Sequence, residues 1–271
     1  MAAEDWARGK VVAVTGGAGG LGAAFGRRFA AAGARVAVLD LERTKPQVLA
    51  AALAQGGAEA VGLVCDVTDP GQCQEAMAEL VRRWGGVDIL INNAGITHRS
   101  AFAQTTLAVQ RRVMEVNYFG SLNCTQAALS SLIARRGLIV VISSVAGFAP
   151  LFGRTGYAAS KHALHGLFAS LRCELAGSGV GVSIVCPSFA DTAIAKNALD
   201  GDGRVTSHPQ SKVGRVASPD EVAEAVFRAA AKRRPLTVLS PIGRLSWWFT
   251  RLLPNLYEKL MTRSLRSELE R

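Results

Sequence analysis

The chain has 271 residues and a formal net charge of +10; 49% of its residues are hydrophobic and 19% are charged. That balance is too apolar for a disordered chain, and no run of eighteen apolar residues is present to span a bilayer. No repeat, low-complexity tract or long linker divides the chain, so its length suits one α/β domain. The opening residues Met1 to Trp6 lack the basic and apolar regions of a secretory signal, and the expected location is the cytoplasm.

The first element is the β-branched run from Lys10 to Thr15, which reads as a buried strand. It breaks into Gly16-Gly17-Ala18-Gly19-Gly20-Leu21-Gly22, and a helical pattern follows through Phe25, Phe29 and Ala32. Strand, glycine-rich turn and helix form the context in which backbone N–H groups and a helix N-terminus receive a pyrophosphate. Gly16, Gly20, Leu21 and Gly22 are therefore candidate cofactor-binding residues, although the spacing departs from the plain G-x-G-x-x-G. A second strand, Arg35 to Leu39, ends in Asp40, about twenty residues past the turn. A carboxylate there accepts hydrogen bonds from ribose hydroxyls and repels a 2′-phosphate, which favours NAD(H) over NADP(H); Arg43 argues the other way.

Further strand-like runs cover 61–65, 87–91, 139–142, 182–186 and 237–239. The expected fold is a Rossmann-type doubly wound α/β sheet of about seven parallel strands in the order 3-2-1-4-5-6-7, with helices on both faces. Between the fifth and sixth strands lies Gly156-Tyr157-Ala158-Ala159-Ser160-Lys161. On a helix, Tyr157 and Lys161 share a face, and a neighbouring cation lowers a tyrosine pKa from its usual value of about 10. Tyr157 is thus a candidate general acid/base, with Lys161 beside it.

Thr15-Gly16-x-x-x-Gly20-x-Gly22, Asp66-Val67, Asn92-Asn93-Ala94-Gly95, Asn117, Ser143-Ser144, Tyr157-x-x-x-Lys161 and Pro187-x-x-x-x-Thr192 occur in that order. The ordered set resembles the single-domain branch of the short-chain dehydrogenase/reductase family from about residue 10 to 240. The resemblance implies a catalytic set of Asn117, Ser144, Tyr157 and Lys161. Ser144, thirteen positions before the tyrosine, would bond the substrate oxygen, and Asn117 would hold a proton-relaying water. It also implies cofactor contacts from Asp66 and Val67 at the adenine, from Asn93 and Gly95, from Lys161 at the nicotinamide ribose, and from Pro187 and Thr192 near the nicotinamide. Ser188 stands where the family usually has glycine, and relatives that prefer NADP carry basic residues where this chain has Gly19 and Leu41. Homodimers or homotetramers are implied as well, through the helices carrying Asn117 and Tyr157.

The reading is an oxidoreductase moving hydride between NAD(H) and a secondary alcohol or ketone. The segment 145–153, with Phe148 and Phe152, and the residues Phe189 and Ile194 suggest an apolar substrate. The alternatives are an NADPH-dependent carbonyl reductase using Arg43, and a catalytically silent NAD(H)-sensing protein. The five cysteines (65, 73, 124, 173 and 186) and four histidines show no metal-ligand spacing, so buried free thiols and no metal are expected. The catalytic domain is expected over 1–240, and 241–271 as a basic amphipathic extension. There Leu245, Trp248, Phe249, Leu252, Leu256 and Leu260 recur at helical spacing among arginines, with Pro254 opening a second helix. That extension packs on the domain, on a second subunit or on a membrane surface; no nucleic-acid motif accompanies its charge.

Overall fold

The computed structural model describes residues 5–188, 193–208 and 215–266. Its β-branched runs form seven strands: β1 (Val11–Thr15), β2 (Arg35–Asp40), β3 (Ala60–Val64), β4 (Ile89–Asn92), β5 (Leu138–Ile142), β6 (Gly181–Cys186) and β7 (Leu236–Val238). They make one sheet in the order β3-β2-β1-β4-β5-β6-β7, with every neighbouring pair parallel. This is the expected doubly wound order.

The helices are α1 (Gly20–Ala31), α2 (Pro46–Gln55), α3 (Pro70–Trp84), α4 (Leu107–Met114), α5 (Gly120–Ala134), α6 (Thr155–Glu174), α7 (Ala193–Lys196), α8 (Pro219–Ala231), α9 (Pro241–Leu252) and α10 (Pro254–Leu265). Their starts follow local chemistry. Asp69 accepts hydrogen bonds from the Gly71 and Gln72 N–H groups ahead of Pro70, and Ser218 forms a capping box with Glu221 ahead of Pro219. Pro254 opens α10 as its first residue, where a missing N–H costs nothing.

Strands β1, β4 and β5 are buried at every position, the signature of a parallel sheet covered on both faces. Alternate side chains feed two cores. Val12, Val14, Val36 and Val38 pack with Phe25 and Phe29 of α1 and Phe227 of α8. Ala13, Leu90, Ile139 and Val141 face the opposite way, against Met77 of α3, Leu132 of α5 and Phe168 of α6. At the N-terminal end of the sheet, Asp88 accepts from the Val11 N–H at 2.8 Å and pairs with Arg135 at 3.0 Å. The carboxyl ends of β1, β2, β4, β5 and β6 all open on the same edge, where the strand order reverses between β1 and β4. Open α/β sheets take their ligands at such a switch point.

Candidate active site

A cleft of about 1310 Å³ runs along that edge. It exceeds the roughly 300–1,000 Å³ of a pocket for one small ligand and has room for a dinucleotide and a substrate.

One end of the cleft is built by the glycine turn. Gly16 has φ +59°, and a Cβ there would lie 2.9 Å from the Ala94 Cα. A Cβ on Gly22 would lie 2.0 Å from the Gly16 carbonyl oxygen, so this glycine lets α1 start directly behind the turn. Helix α1 has no side-chain cap and no acidic residue in its first turn, so its N-terminal N–H groups and positive dipole end are available to an anion. Gly16, Gly20 and Leu21 line the cleft.

The neighbouring strand ends brace this turn. Asp40 accepts from the Ala18 N–H at 2.9 Å and from the Leu41 N–H at 2.8 Å, so its carboxylate holds the loop as well as facing the cleft. Asn93 donates through Nδ2 to the Thr15 and Gly16 carbonyls, and its own N–H reaches the Thr15 hydroxyl. The Asn93 amide is therefore a clamp between β1 and β4. Asp66 accepts from the Thr68 N–H and hydroxyl, which sets the bend after β3, and Val67 lies beside it on the cleft wall. Arg43 also lines this end.

At the other end stand Ser144, Tyr157 and Lys161. Ser144 follows β5, and its Oγ accepts from the Ala146 N–H at 3.1 Å. Tyr157 sits in the first turn of α6 with its phenol close enough to the Ser144 hydroxyl to feel it. Lys161, one turn on, is 4% exposed; its Nζ donates to the Ile142 carbonyl at 2.9 Å and lies 5.8 Å from the Tyr157 ring centroid. Gly95 keeps this corner open, because a Cβ there would approach the Asn117 Oδ1 to 3.1 Å.

The charge state differs from the sequence expectation. Burial pushes the Tyr157 phenol above its usual range, and the Ser144 hydroxyl and the Arg154 charge offset this only in part. Lys161 is not the group that pulls it down. Its ammonium is tied to Ile142, and burial brings its own pKa down to about 8. Desolvation opposes charge on both groups and is the first cause of each shift.

Asn117 is also placed differently from a cleft-lining residue. It lies in a π-helical turn, Glu115–Phe119, between α4 and α5, and is fully buried. Its side chain accepts from the Ile96 N–H at 2.8 Å and donates to the Ile96 carbonyl and to the Ser160 hydroxyl; Ser160 in turn donates to the Tyr157 carbonyl. The amide thus ties α6 to the strand-β4 loop. π-turns of this kind are frequent at functional sites.

Val145, Pro150, Leu151, Ile194, Pro187 and Ser188 line the substrate end. Phe148 does not: it is 9% exposed and packs edge-on against Trp247 of α9, with centroids 4.8 Å apart. Thr192 and Phe189 lie outside the described residues. No group of three metal-ligating side chains occurs among the described residues. Arg154 and the lining from the C-terminal helices (Ser246, Phe249, Tyr257 and Met261) were not singled out as site residues by motif. The helical stripe of 245–261 was the one signal for the latter.

The residues fit a nicotinamide dinucleotide: a turn so tight that Gly16 and Gly22 leave no room for a Cβ against neighbouring backbone, an uncapped helix N-terminus, a carboxylate at the end of β2, and sufficient volume. This architecture defines an oxidoreductase of the short-chain type. A family profile described as short chain dehydrogenase matches residues 10–203, and the chain belongs to the short-chain dehydrogenase/reductase family.

Among its relatives is the dehydrogenase/reductase SDR family member 7B of Rattus norvegicus, 36% identical over 273 residues, covering 98% of this chain and 84% of that protein. The dehydrogenase/reductase SDR family protein 7-like of Anopheles gambiae is 35% identical over 260 residues, covering 93% and 82%. Among solved structures, a short chain dehydrogenase/reductase SDR from Burkholderia phymatum in complex with NAD superposes with a TM-score of 0.82 at 25% identity, over 92% of this chain and 95% of that one.

Proposed function

We propose that the protein interconverts an apolar secondary alcohol and its ketone with NAD(H), Tyr157 serving as general acid/base. The observation that carries this reading is the Ser144–Tyr157–Lys161 group opening on the same cleft as the glycine turn and Asp40. The nicotinamide supplies the hydride chemistry when bound. Gly16, Gly20 and Leu21 would hold its pyrophosphate, with Gly22 admitting α1 close behind them, Asp40 the adenosine ribose, Asp66 and Val67 the adenine, Gly95 and Pro187 the nicotinamide side, and Lys161 the nicotinamide ribose. Ser144 orients the substrate oxygen toward the Tyr157 hydroxyl. That hydroxyl, neutral at physiological pH, gives its proton to a ketone oxygen in reduction and takes one from the alcohol in oxidation. Asn117 acts at one remove, by holding Ser160 and the Tyr157 turn of α6.

Arg43, on the cleft wall near Asp40, favours a second reading in which NADPH is the cofactor. Titration with NADH and NADPH, read by tryptophan-to-nicotinamide energy transfer, separates the two. Tighter NADH binding supports the first reading, and tighter NADPH binding replaces it with the second. Tyr157→Phe is expected to lose about 100-fold or more in turnover while NADH binding stays nearly unchanged; full activity in that variant removes the acid/base assignment. The family likeness also supports a homodimer or homotetramer built on α4 to α6, which sedimentation equilibrium measures.

A further inference from the structure

The two C-terminal helices carry three distinct sectors. At 3.6 residues per turn, Ile242, Ser246 and Phe249 share one side of α9 and line the cleft. Next around the cylinder come Leu245, Trp248 and Leu252, which are 68%, 62% and 71% exposed. Beyond them stand Arg244 and Arg251. Helix α10 repeats the order: Tyr257, Met261 and Ser264 line the cleft, Leu256 and Leu260 follow as exposed apolar residues, and Lys259 and Arg263 flank them.

Of the fifteen large apolar side chains that are exposed among the described residues, seven fall between residues 242 and 260. This concentration marks an interaction surface rather than the ordinary scatter of single apolar residues. Ile242 and Leu260 belong to both sectors, since they line the cleft and are 45% and 46% exposed. The apolar face therefore continues into the rim of the cleft.

We propose that this face docks on the surface of an anionic lipid bilayer, and that an apolar substrate enters the cleft from the membrane. The apolar sector would sit at the acyl boundary, and the neighbouring cations would reach the headgroups along their aliphatic stems. Charge favours a bilayer over a second copy of the chain. Between 241 and 265 Glu258 is the one acidic residue, against Arg244, Lys259 and Arg263, with Arg251 stacked on Trp247; Glu268 and Glu270 follow only at the end of the chain. A two-fold contact would set these like charges against one another, whereas anionic headgroups complement them. The docking is interfacial, because no helix among the described residues is long and apolar enough to cross a membrane. The entry route rests on the apolar-substrate reading above; the docking itself does not.

Co-sedimentation of the full chain with phosphatidylcholine vesicles, with and without phosphatidylserine, tests the docking. The comparison variant is Trp248→Glu/Leu252→Glu, whose two positions lie outside the cleft. The wild-type chain is expected to partition onto the phosphatidylserine vesicles, and the variant at least ~10-fold less. Equal sedimentation of both proteins, or of neither, overturns the proposal. So does a gel-filtration result in which the substitutions turn a dimer into a monomer without changing lipid binding, since the face would then be a self-interface.

NADH binding and turnover of a water-miscible ketone should be unchanged in the variant, and reduction of a long-chain ketone dissolved in the vesicles should fall several-fold. Absence of turnover in both proteins with retained vesicle binding would count against the enzymatic reading and the entry route while leaving docking supported. Equal rates of both proteins on the vesicle-borne ketone overturn the entry route.

Discussion

Ionisation at the site follows burial more closely than it follows pairing. Lys161, with its pKa at about 8, is cationic at neutral pH and neutral above it. If its charge assists the proton transfer of Tyr157, kcat/KM for ketone reduction is flat through neutral pH and falls above about pH 8; a profile flat to pH ~10 would show that the charge has no part. His98 gives a stability prediction of opposite origin. It is fully buried, accepts from the Gly156 N–H at 3.0 Å at the start of α6, and has its pKa pushed down to about 4, chiefly by burial and then by the Arg154 charge. Between the unfolded value near 6.5 and the folded value near 4, the unfolded chain binds the extra proton, so stability falls as pH drops through that window. The loss reaches roughly 3 kcal/mol from this residue. Denaturant midpoints at pH 7 and pH 4.5 measure it, and the difference should shrink in His98→Gln.

Among the elements, the turn between β1 and α1 carries glycines with almost no room behind them. Gly22→Ala forces a methyl against the Gly16 carbonyl and is expected to cost roughly 3 kcal/mol, on the order of 5–10 °C in Tm, with loss of NADH binding. Gly19→Ala is the control. Its backbone is extended, with φ −147°, and an added Cβ meets nothing within 4 Å. Its Tm should stay within about 2 °C of wild type, a shift of no more than ~0.5 kcal/mol; a large drop would show that the turn is held differently. The difference between two glycines three residues apart in one motif is a matter of which backbone passes behind each. The π-turn at Asn117 is the second element with local consequence, since it aims the amide at Ile96 and Ser160 rather than into the cleft.

Over the whole molecule, the doubly wound sheet hides four of the five thiols. Cys65, Cys73, Cys124 and Cys186 are buried and Cys173 is exposed. A thiol reagent should therefore modify one cysteine per chain quickly under native conditions and five after denaturation; two or more fast-reacting thiols would contradict this packing. The same scale explains the C-terminal extension. Helix α9 is anchored by Trp247, which stacks under Arg251 and against Phe148, while Trp248 next to it faces out. Adjacent tryptophans thus divide between packing and surface, which the run Trp247-Trp248-Phe249 alone leaves open.

The glycine turn, the carboxylate at the end of β2 and the Tyr157–Lys161 pair were legible in the chain because each depends on short-range periodicity or fixed spacing; the strand order followed from the doubly wound class that alternating strands and helices imply, not from any local period. Period-two burial and helical i, i+4 geometry need no knowledge of distant partners. What the tertiary structure alone decided concerns groups brought together from afar. Desolvation at the meeting of β5 and α6 sets Tyr157 above its usual range. The loop after β4 claims the Asn117 amide, and α9 claims Phe148 for the core. Solvation and close packing depend on every neighbour in three dimensions, and a linear motif lists only the neighbours along the chain.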